Sequence, residues 1–398
     1  MMLNKQAEKN ARKEAWDDYL IAEKLNTERF QELMYMMMYF DGANKTYTYT
    51  EPTAIPMRFK FECVGQPDEN GYPVYIFLHG GGQTLSNDAS FEGVKEWDMR
   101  NIKNGIHITC RGIRETYNTH FNPESYPLYD RLIQNMIIYT NADPNRVYLT
   151  GYSAGGDGVY GITPYMPDRF AAVAMSAGHH NQAPAHNYMN IPIILQCGDK
   201  DTAYDRHLET VRYAMKLKEM QAQYQEGYTH ELLMHVKKGH QIQTRAQSRA
   251  PVVVWEDGEA WMNGGSKPVL KNSNTVDFVN QFVRNPLPNT VVWNLAQRAP
   301  MRLTQSYYWL NAPASMDKGI LHCTRNGNTF TITTKEAAGT FDLLLNWDMV
   351  DFDQPIVLDV NGKKSEVTAT PSVETIKETT QDRGDVNFQF SAKVAVTV

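Results

Sequence analysis

Hydrophobic residues follow a helical period at the start of the chain and a strand period after it. Between residues 5 and 40, apolar side chains recur every three or four positions, which predicts an N-terminal helical segment over residues 1–45. Residues 46–64 then alternate polar and apolar side chains, as in Met57-Arg58-Phe59-Lys60-Phe61. This alternation is typical of antiparallel strands with one buried face.

Mostly apolar runs, predicted to be buried, occur through the middle of the chain. They cover residues 74–78, 106–109, 147–149, 171–175, 193–195 and 232–236. Helical spacing separates several of them, at 127–139 and 204–221, and a last helix is predicted over 274–284. Unbroken apolar strands are typical of parallel sheets that are buried on both faces. Residues 46–287 are therefore predicted to form an α/β domain with a doubly wound, mostly parallel sheet.

Short β-type runs replace the helical pattern after Pro288. Turn sequences such as Asn326-Gly327-Asn328 and Asn361-Gly362 separate them and favour tight hairpins. Residues 288–398 are therefore predicted to form a small C-terminal β-sandwich domain. The aromatic segment Tyr307-Tyr308-Trp309 has two interpretations: it forms the core of this domain, or it binds carbohydrate, a polymer or another subunit.

Composition and charge exclude some classes of partner. The chain has 398 residues, 42% of them hydrophobic, and a formal net charge of −6, with Lys and Arg spread along its length. A nucleic-acid partner is not expected, because binding a polyanion requires a basic face. No membrane partner is expected either, since no apolar stretch approaches the roughly 20 residues of a spanning helix.

The N-terminus and the cysteines bear on the compartment. The first residues lack the apolar region of a signal peptide, which predicts a cytoplasmic location; a periplasmic or secreted location stays open if a signal peptide was removed. The four cysteines share no metal-ligand spacing and are interpreted as buried reduced thiols. No metal or cofactor is implied, and homo-oligomerisation stays open.

The pentapeptide Gly151-Tyr152-Ser153-Ala154-Gly155 has the GxSxG pattern and stands between an apolar run and a run of small residues. A serine on a tight strand-to-helix turn projects from the sheet, and the neighbouring glycines leave room for the turn. The pattern therefore predicts a nucleophile elbow with Ser153 as the nucleophile. A surface serine without a partner is the alternative.

Three more segments carry suitable chemistry at the ends of predicted strands. His79-Gly80-Gly81-Gly82 follows the first apolar run, Gly198-Asp199-Lys200-Asp201 follows the fifth, and Gly239-His240 follows the sixth. Glycine-loop N–H groups can hold an oxyanion, a carboxylate can orient a histidine, and a histidine can activate a serine. The candidate residues therefore occur in the order Ser, Asp, His.

These four segments resemble those of the α/β-hydrolase superfamily, in its branch of dienelactone-hydrolase-like, polyhydroxybutyrate-depolymerase-like and acetyl or feruloyl esterases. The resemblance covers roughly residues 55–285 and implies a serine esterase with Ser153 as nucleophile and His240 as general base. The position of the acid in such esterases favours Asp201, with Asp199 as the alternative. The oxyanion hole is expected at the backbone N–H groups of Ala154 and of Gly81 or Gly82.

Further residues near the strand ends are candidates for contact with the substrate. His179, His180 and Trp255 are predicted to bind it, and His120 is a further possibility. The alternative for Trp255 is that it packs a Gly-rich, acidic loop onto the domain. His79 is expected to anchor the glycine loop, and Asp157 to serve a structural role in the first turn of the helix after Ser153.

The sequence supports a main hypothesis and two rivals. The main one is cleavage of carboxylic esters, in a small molecule or a polymer, through an acyl-enzyme. The first rival is a peptidase of prolyl-oligopeptidase type, although the chain has only about 50 residues before its first predicted hydrolase strands. The second is a noncatalytic binding protein with a hydrolase fold, and a weakly hydrolytic acyltransferase is also open.

Overall fold

The computed structural model describes residues 3–27, 29, 47–49, 57–81, 102–114, 116–242, 251–297 and 303–398. The chain divides into two compact units. The central unit comprises Met34–Arg131 and Thr140–Arg284, and the terminal unit comprises Met1–Leu33, Leu132–Tyr139 and Asn285–Val398. The N-terminal segment, predicted as a separate part, thus groups with the C-terminal residues.

A mixed sheet of ten strands forms the central unit, counted over its described residues. The strands are β1 Tyr47–Tyr49, β2 Met57–Val64, β3 Tyr72–Leu78, β4 Gly105–Cys110, β5 Ala142–Tyr152, β6 Ala172–Ser176, β7 Ile193–Gly198, β8 His230–His235, β9 Val252–Trp255 and β10 Val269–Lys271. Their order is β1-β2-β4-β3-β5-β6-β7-β8-β9-β10. The six strands from β4 to β8 in this order pair in parallel. Both ends of the sheet pair antiparallel.

The helices begin and end at the following residues. They are α1 Lys5–Leu25, α2 Ser125–Tyr139, α3 Ala154–Ile162, α4 Arg206–Tyr224, α5 Gly258–Met262, α6 Thr275–Val279 and α7 Val373–Arg383. Among them, α3 packs on β5 and β6, whereas α4 packs on β7 and β8. The parallel strands are buried because helices cover them, which explains their unbroken apolar sequences.

Two segments of the central unit differ from the sequence prediction. The residues after His240, predicted as a loop, contain the antiparallel pair β9 and β10 and the short helix α5. The helix predicted over 274–284 ends at Val279. It ends early because the chain then turns so that the N–H of Arg284 donates to the carbonyl of Asn145.

The terminal unit contains two sheets in its described part. Their strands are β11 Thr290–Asn294, β12 Ser306–Tyr307, β13 Leu310–Asn311, β14 Ile320–Asn326, β15 Thr329–Lys335, β16 Thr340–Leu345, β17 Ile356–Val360, β18 Lys363–Val367 and β19 Ala392–Thr397. The orders are β11-β14-β15-β17-β18 and β12-β13-β16-β19. Buried side chains of both sheets form one hydrophobic core. Tyr307, Tyr308 and Trp309 are all buried in it, so this aromatic segment is core.

The N-terminal helix belongs to the terminal unit. In α1, Trp16 and Tyr19 stack with ring centroids 5.3 Å apart, and the helix packs against α7 within the terminal unit. The predicted continuation of this helix to residue 40 lies mostly outside the described residues. None of the helices in the described part of the chain combines the length and the apolar character needed to cross a bilayer.

Candidate active site

Ser153 stands on a sharp turn between β5 and α3. Its backbone has φ 58° and ψ −122°, a left-handed conformation that is strained for a residue with a side chain. The turn is held on both sides: the Ser153 N–H donates to the carbonyl of Ser176 at 2.9 Å, and the Asp157 N–H donates to the carbonyl of Ser153 at 3.0 Å. The side chain therefore projects at the carboxyl edge of the sheet.

Glycines make this turn possible. A Cβ atom on Gly151 would lie 2.1 Å from the carbonyl oxygen of Gly155, and one on Gly155 would lie 1.9 Å from the carbonyl oxygen of Leu78. No side chain fits at either position, because real Cβ contacts of this kind stay above about 3 Å. The GxSxG pattern thus reflects close backbone approach to β3.

His240 bridges Ser153 and Asp201. Its Nε2 lies 2.9 Å from the Oγ of Ser153, and its Nδ1 lies 2.8 Å from the Oδ2 of Asp201. Because an ionised carboxylate only accepts hydrogen bonds, Nδ1 donates to Asp201 and Nε2 is left to accept from the serine hydroxyl. The His240 side chain is 39% exposed and that of Asp201 is 2% exposed, so the hydrogen-bonded chain runs from the surface into the interior.

Asp199 occupies a different place from Asp201. Its Oδ2 accepts a hydrogen bond from the indole Nε1 of Trp255 at 3.2 Å, and its backbone N–H donates to the carbonyl of His235. Of the two aspartates that the sequence left open, Asp201 is the one in contact with His240. Trp255, predicted to bind substrate, donates its indole N–H to Asp199. Its backbone lies opposite Met234 in the antiparallel pair of β9 and β8.

The loop after β3 lies against the nucleophile. A Cβ on Gly80 would lie 3.0 Å from the Cβ of Ser153, so this loop passes directly beside the serine. Gly81 is exposed and has φ 76°, a conformation that favours glycine. Ala154 is the first residue of α3, where backbone N–H groups have no partner within the helix. Gly82 lies outside the described residues.

Two buried histidines hold this loop. The Nδ1–H of His79 donates to the Gly80 carbonyl at 2.9 Å, while its Nε2 accepts from the N–H of Gly112 at 3.0 Å. The Nε2–H of His120 donates to the His79 carbonyl at 2.9 Å. Burial, with the charge of Arg111 adding to it, holds the pKa of His120 well below its usual range. His120 is therefore a neutral support for the loop and not a surface contact.

His179 and His180 lie on the loop after β6, with their rings stacked 5.4 Å apart. The His179 N–H donates to the Oδ1 of Asp157 at 2.7 Å, which ties the loop to the first turn of α3. The His180 Nε2–H donates to Glu209 at 2.7 Å, and its Nδ1 accepts from the N–H of Gln182 at 3.0 Å. Burial lowers the pKa of His180, although Glu209 opposes the shift. Both ring nitrogens of His180 are thus engaged within the protein.

Tyr152 is a residue of this site that the sequence analysis did not select. Its phenol donates to the backbone carbonyl of His240 at 2.6 Å, and its ring lies 5.3 Å from the imidazole. Burial raises the pKa of Tyr152 to about 12, so the phenol keeps its proton at neutral pH. Its position directly before the nucleophile was the available signal, since that residue must lie at the same edge of the sheet.

The described residues hold no group of three or more His, Cys, Asp or Glu side chains arranged to bind a metal ion. No protein-family model matches this sequence, and no curated protein matches it. Comparison with solved structures does find similar proteins, and these are esterases and hydrolases.

Three of these structures illustrate the similarity. A thermostable esterase is 18% identical, with 60% of this chain and 63% of that chain covered and a TM-score of 0.43, so the match spans less than two thirds of that esterase. A poly(3-hydroxybutyrate) depolymerase from Bordetella parapertussis is 17% identical, with 59% and 92% covered and a TM-score of 0.42. An S-formylglutathione hydrolase from Agrobacterium tumefaciens is 13% identical, with 50% and 88% covered and a TM-score of 0.38.

Proposed function

We propose that this protein is a serine hydrolase that cleaves carboxylic esters through Ser153, His240 and Asp201. The observation that carries the proposal is the continuous hydrogen-bonded chain from the Ser153 Oγ through His240 to the buried Asp201 carboxylate. The strained backbone of Ser153 supports it, because strain of about 1–3 kcal/mol is tolerated chiefly where function needs it.

The chemistry proceeds in two halves. The Ser153 Oγ attacks the ester carbonyl while the Nε2 of His240 takes the hydroxyl proton, and the resulting imidazolium is stabilised by Asp201. His240 then gives this proton to the leaving alkoxide, which departs as an alcohol and leaves an acyl group on Ser153. Water, deprotonated by His240, attacks the acyl group, and the acid is released as Ser153 regains its proton.

The backbone around Ser153 supplies the oxyanion donors in this proposal. The N–H of Ala154, at the start of α3, and that of Gly81 are the donors proposed among the described residues, and Gly82 remains a prediction from the sequence. Removing one such donor typically costs about 3 kcal/mol of transition-state stabilisation. Because these are backbone groups, side-chain deletion does not test them.

Substrate contacts are proposed on the loop after β6. His179 is the more exposed member of the histidine pair and begins this loop beside the nucleophile helix, so it is proposed to contact the substrate. His180 and Trp255, which donate their ring N–H groups to Glu209 and Asp199, are likewise proposed as substrate contacts. The substrate is an ester in a small molecule or a polymer.

Hydrolysis of p-nitrophenyl acetate, butyrate and octanoate tests this proposal, with a peptide p-nitroanilide measured beside them. Turnover of the esters by the wild type, lost in Ser153→Ala and kept in Ser315→Ala, an exposed serine of the terminal unit, would support it. Preference for the anilide would favour the peptidase. Faster acyl transfer to an added alcohol than to water would favour an acyltransferase, and no turnover by folded wild type would favour a binding protein.

A further inference from the structure

Arg206, the first residue of α4, lies on the far side of the carboxylate of Asp201 from His240. Its Nη1 is 3.8 Å from the Oδ1 of Asp201, whereas the Oδ2 of the same carboxylate bonds to His240. The Arg206 side chain is only 12% exposed. The buried carboxylate is therefore flanked by a permanent cation on one side and by the proposed general base on the other.

This placement of an arginine is unfavourable in several respects. A cation at a helix N-terminus opposes the helix dipole. The two preceding residues, Tyr204 with φ 55° and Asp205 with φ 53°, are consecutive non-glycine residues in the left-handed region. The Nε of Arg206 is buried and has no hydrogen-bond partner among the described residues. Such costs are expected where a side chain serves function rather than stability.

We propose that Arg206 is a positioning residue of the proposed hydrolase, whose guanidinium holds a permanent positive charge against the buried Asp201 carboxylate that orients His240. This inference rests on the proposed function. The guanidinium opposes the accumulation of a second positive charge on His240 through the intervening carboxylate. Removal of the guanidinium should therefore change the pH dependence of ester hydrolysis.

Two further titratable groups lie near Asp201 and Arg206. Asp157 of α3 is an acid whose pKa burial raises, while the N–H of His179 and the charge of Arg206 act in the opposite direction. Cys197 of β7 lies with its Sγ 3.9 Å from the Oδ2 of Asp201, and burial raises the pKa of this thiol to about 12. Like Tyr152, it is neutral in the working range. Arg206 is therefore the cation that faces Asp201 from the helix side.

The test is the pH profile of kcat/KM for p-nitrophenyl acetate in Arg206→Gln, Arg206→Met and Arg206→Lys. Because the guanidinium acts on His240 through the carboxylate of Asp201, at a partly exposed site, removal of the cation should move the acidic limb to higher pH by about 0.5–1 unit. Arg206→Lys should retain most of the wild-type profile. Lys218→Gln, which removes an exposed cation from the same helix, should leave the profile unchanged.

The outcomes distinguish a positioning role of Arg206 from a purely structural role and from failure of the proposed function. A shift in both neutral variants with rescue by lysine supports the inference, whereas superimposable profiles in all variants overturn it. Neutral variants that fail to fold, checked by thermal unfolding, would assign Arg206 to stability and also overturn it. If the wild type itself hydrolyses no ester, the proposed function fails, which is distinct from an active wild type whose profile ignores Arg206.

Discussion

Replacement of Tyr152 by Phe removes one hydroxyl from the candidate active site and keeps the aromatic ring. In the structure, this hydroxyl donates to the backbone carbonyl of His240 at 2.6 Å, and the ring itself lies against the imidazole. The variant therefore loosens the segment that carries His240, while the tilted contact between the two rings remains. Ser153 and Asp201 are not touched by the change.

The expected magnitude follows from this single contact. A neutral hydrogen bond contributes about 1 kcal/mol, and the His240 carbonyl is left unsatisfied in a half-buried position. If that free energy is needed to hold His240 in line with Ser153, kcat/KM should fall about fivefold, since about 1.4 kcal/mol corresponds to tenfold. A larger loss would mean that His240 leaves its position altogether.

Tyr148→Phe is a matched control on the same strand. Its hydroxyl also donates to a backbone carbonyl, that of Phe282 at 2.9 Å, but away from Ser153. Both variants should lose similar stability in thermal unfolding, and only Tyr152→Phe should lose kcat/KM for p-nitrophenyl acetate. Unchanged kcat/KM in Tyr152→Phe, or an equal loss in both variants, would refute the reasoning.

Two further predictions concern the acid and the stability of the central unit. Asp201→Asn should lower kcat by about 10³–10⁴-fold, because the amide no longer selects the required tautomer of His240. The control variant Asp199→Asn should keep kcat within about tenfold of wild type. Equal losses of kcat in the two variants would contradict the assignment of Asp201 as the acid. Burial lowers the pKa of His235 in the folded protein from 6.5 to about 4. As the pH drops from 6.5 towards 4, this histidine is therefore protonated in the unfolded chain before it is protonated in the folded protein, and the free energy of unfolding should fall. Urea unfolding at pH 7 and 4.5 should show a smaller pH effect in His235→Gln, and an unchanged difference would contradict the prediction.

Much of the central unit follows from local sequence. Each of the six apolar runs overlaps an observed parallel strand, because strands buried on both faces carry mainly apolar side chains. The turn at Ser153 could equally be predicted, since the close approach of Gly155 to the Leu78 carbonyl excludes any larger residue. These features depend on a few neighbouring residues, so a single sequence is enough to predict them.

Elements with polar sequences were missed in the terminal unit. Strand β18, Lys-Lys-Ser-Glu-Val, is almost wholly exposed and is set by its pairing with β17 across the turn Asn361-Gly362. Helix α7 presents Ile376 as its one buried aliphatic side chain. Only the N-cap signalled it, where the side chain of Ser372 accepts from the N–H of Thr375.

Side-chain partners in the site could not be predicted either. The contacts of Trp255 with Asp199, and of His180 with Glu209, join residues that lie 56 and 29 positions apart. Both aromatic residues were suited to binding a substrate by type and by position. Which partner each meets is decided by tertiary packing, which a single sequence does not specify.

Covalent labelling of the intact protein with a fluorophosphonate probe, followed by peptide mapping, is the most direct test of the central claim. The account predicts one adduct per chain on Ser153, no adduct in Ser153→Ala, and reduced labelling when His240 is replaced by Ala. Absence of labelling in folded wild type, or an adduct on another serine, would contradict the assignment of Ser153 as the nucleophile.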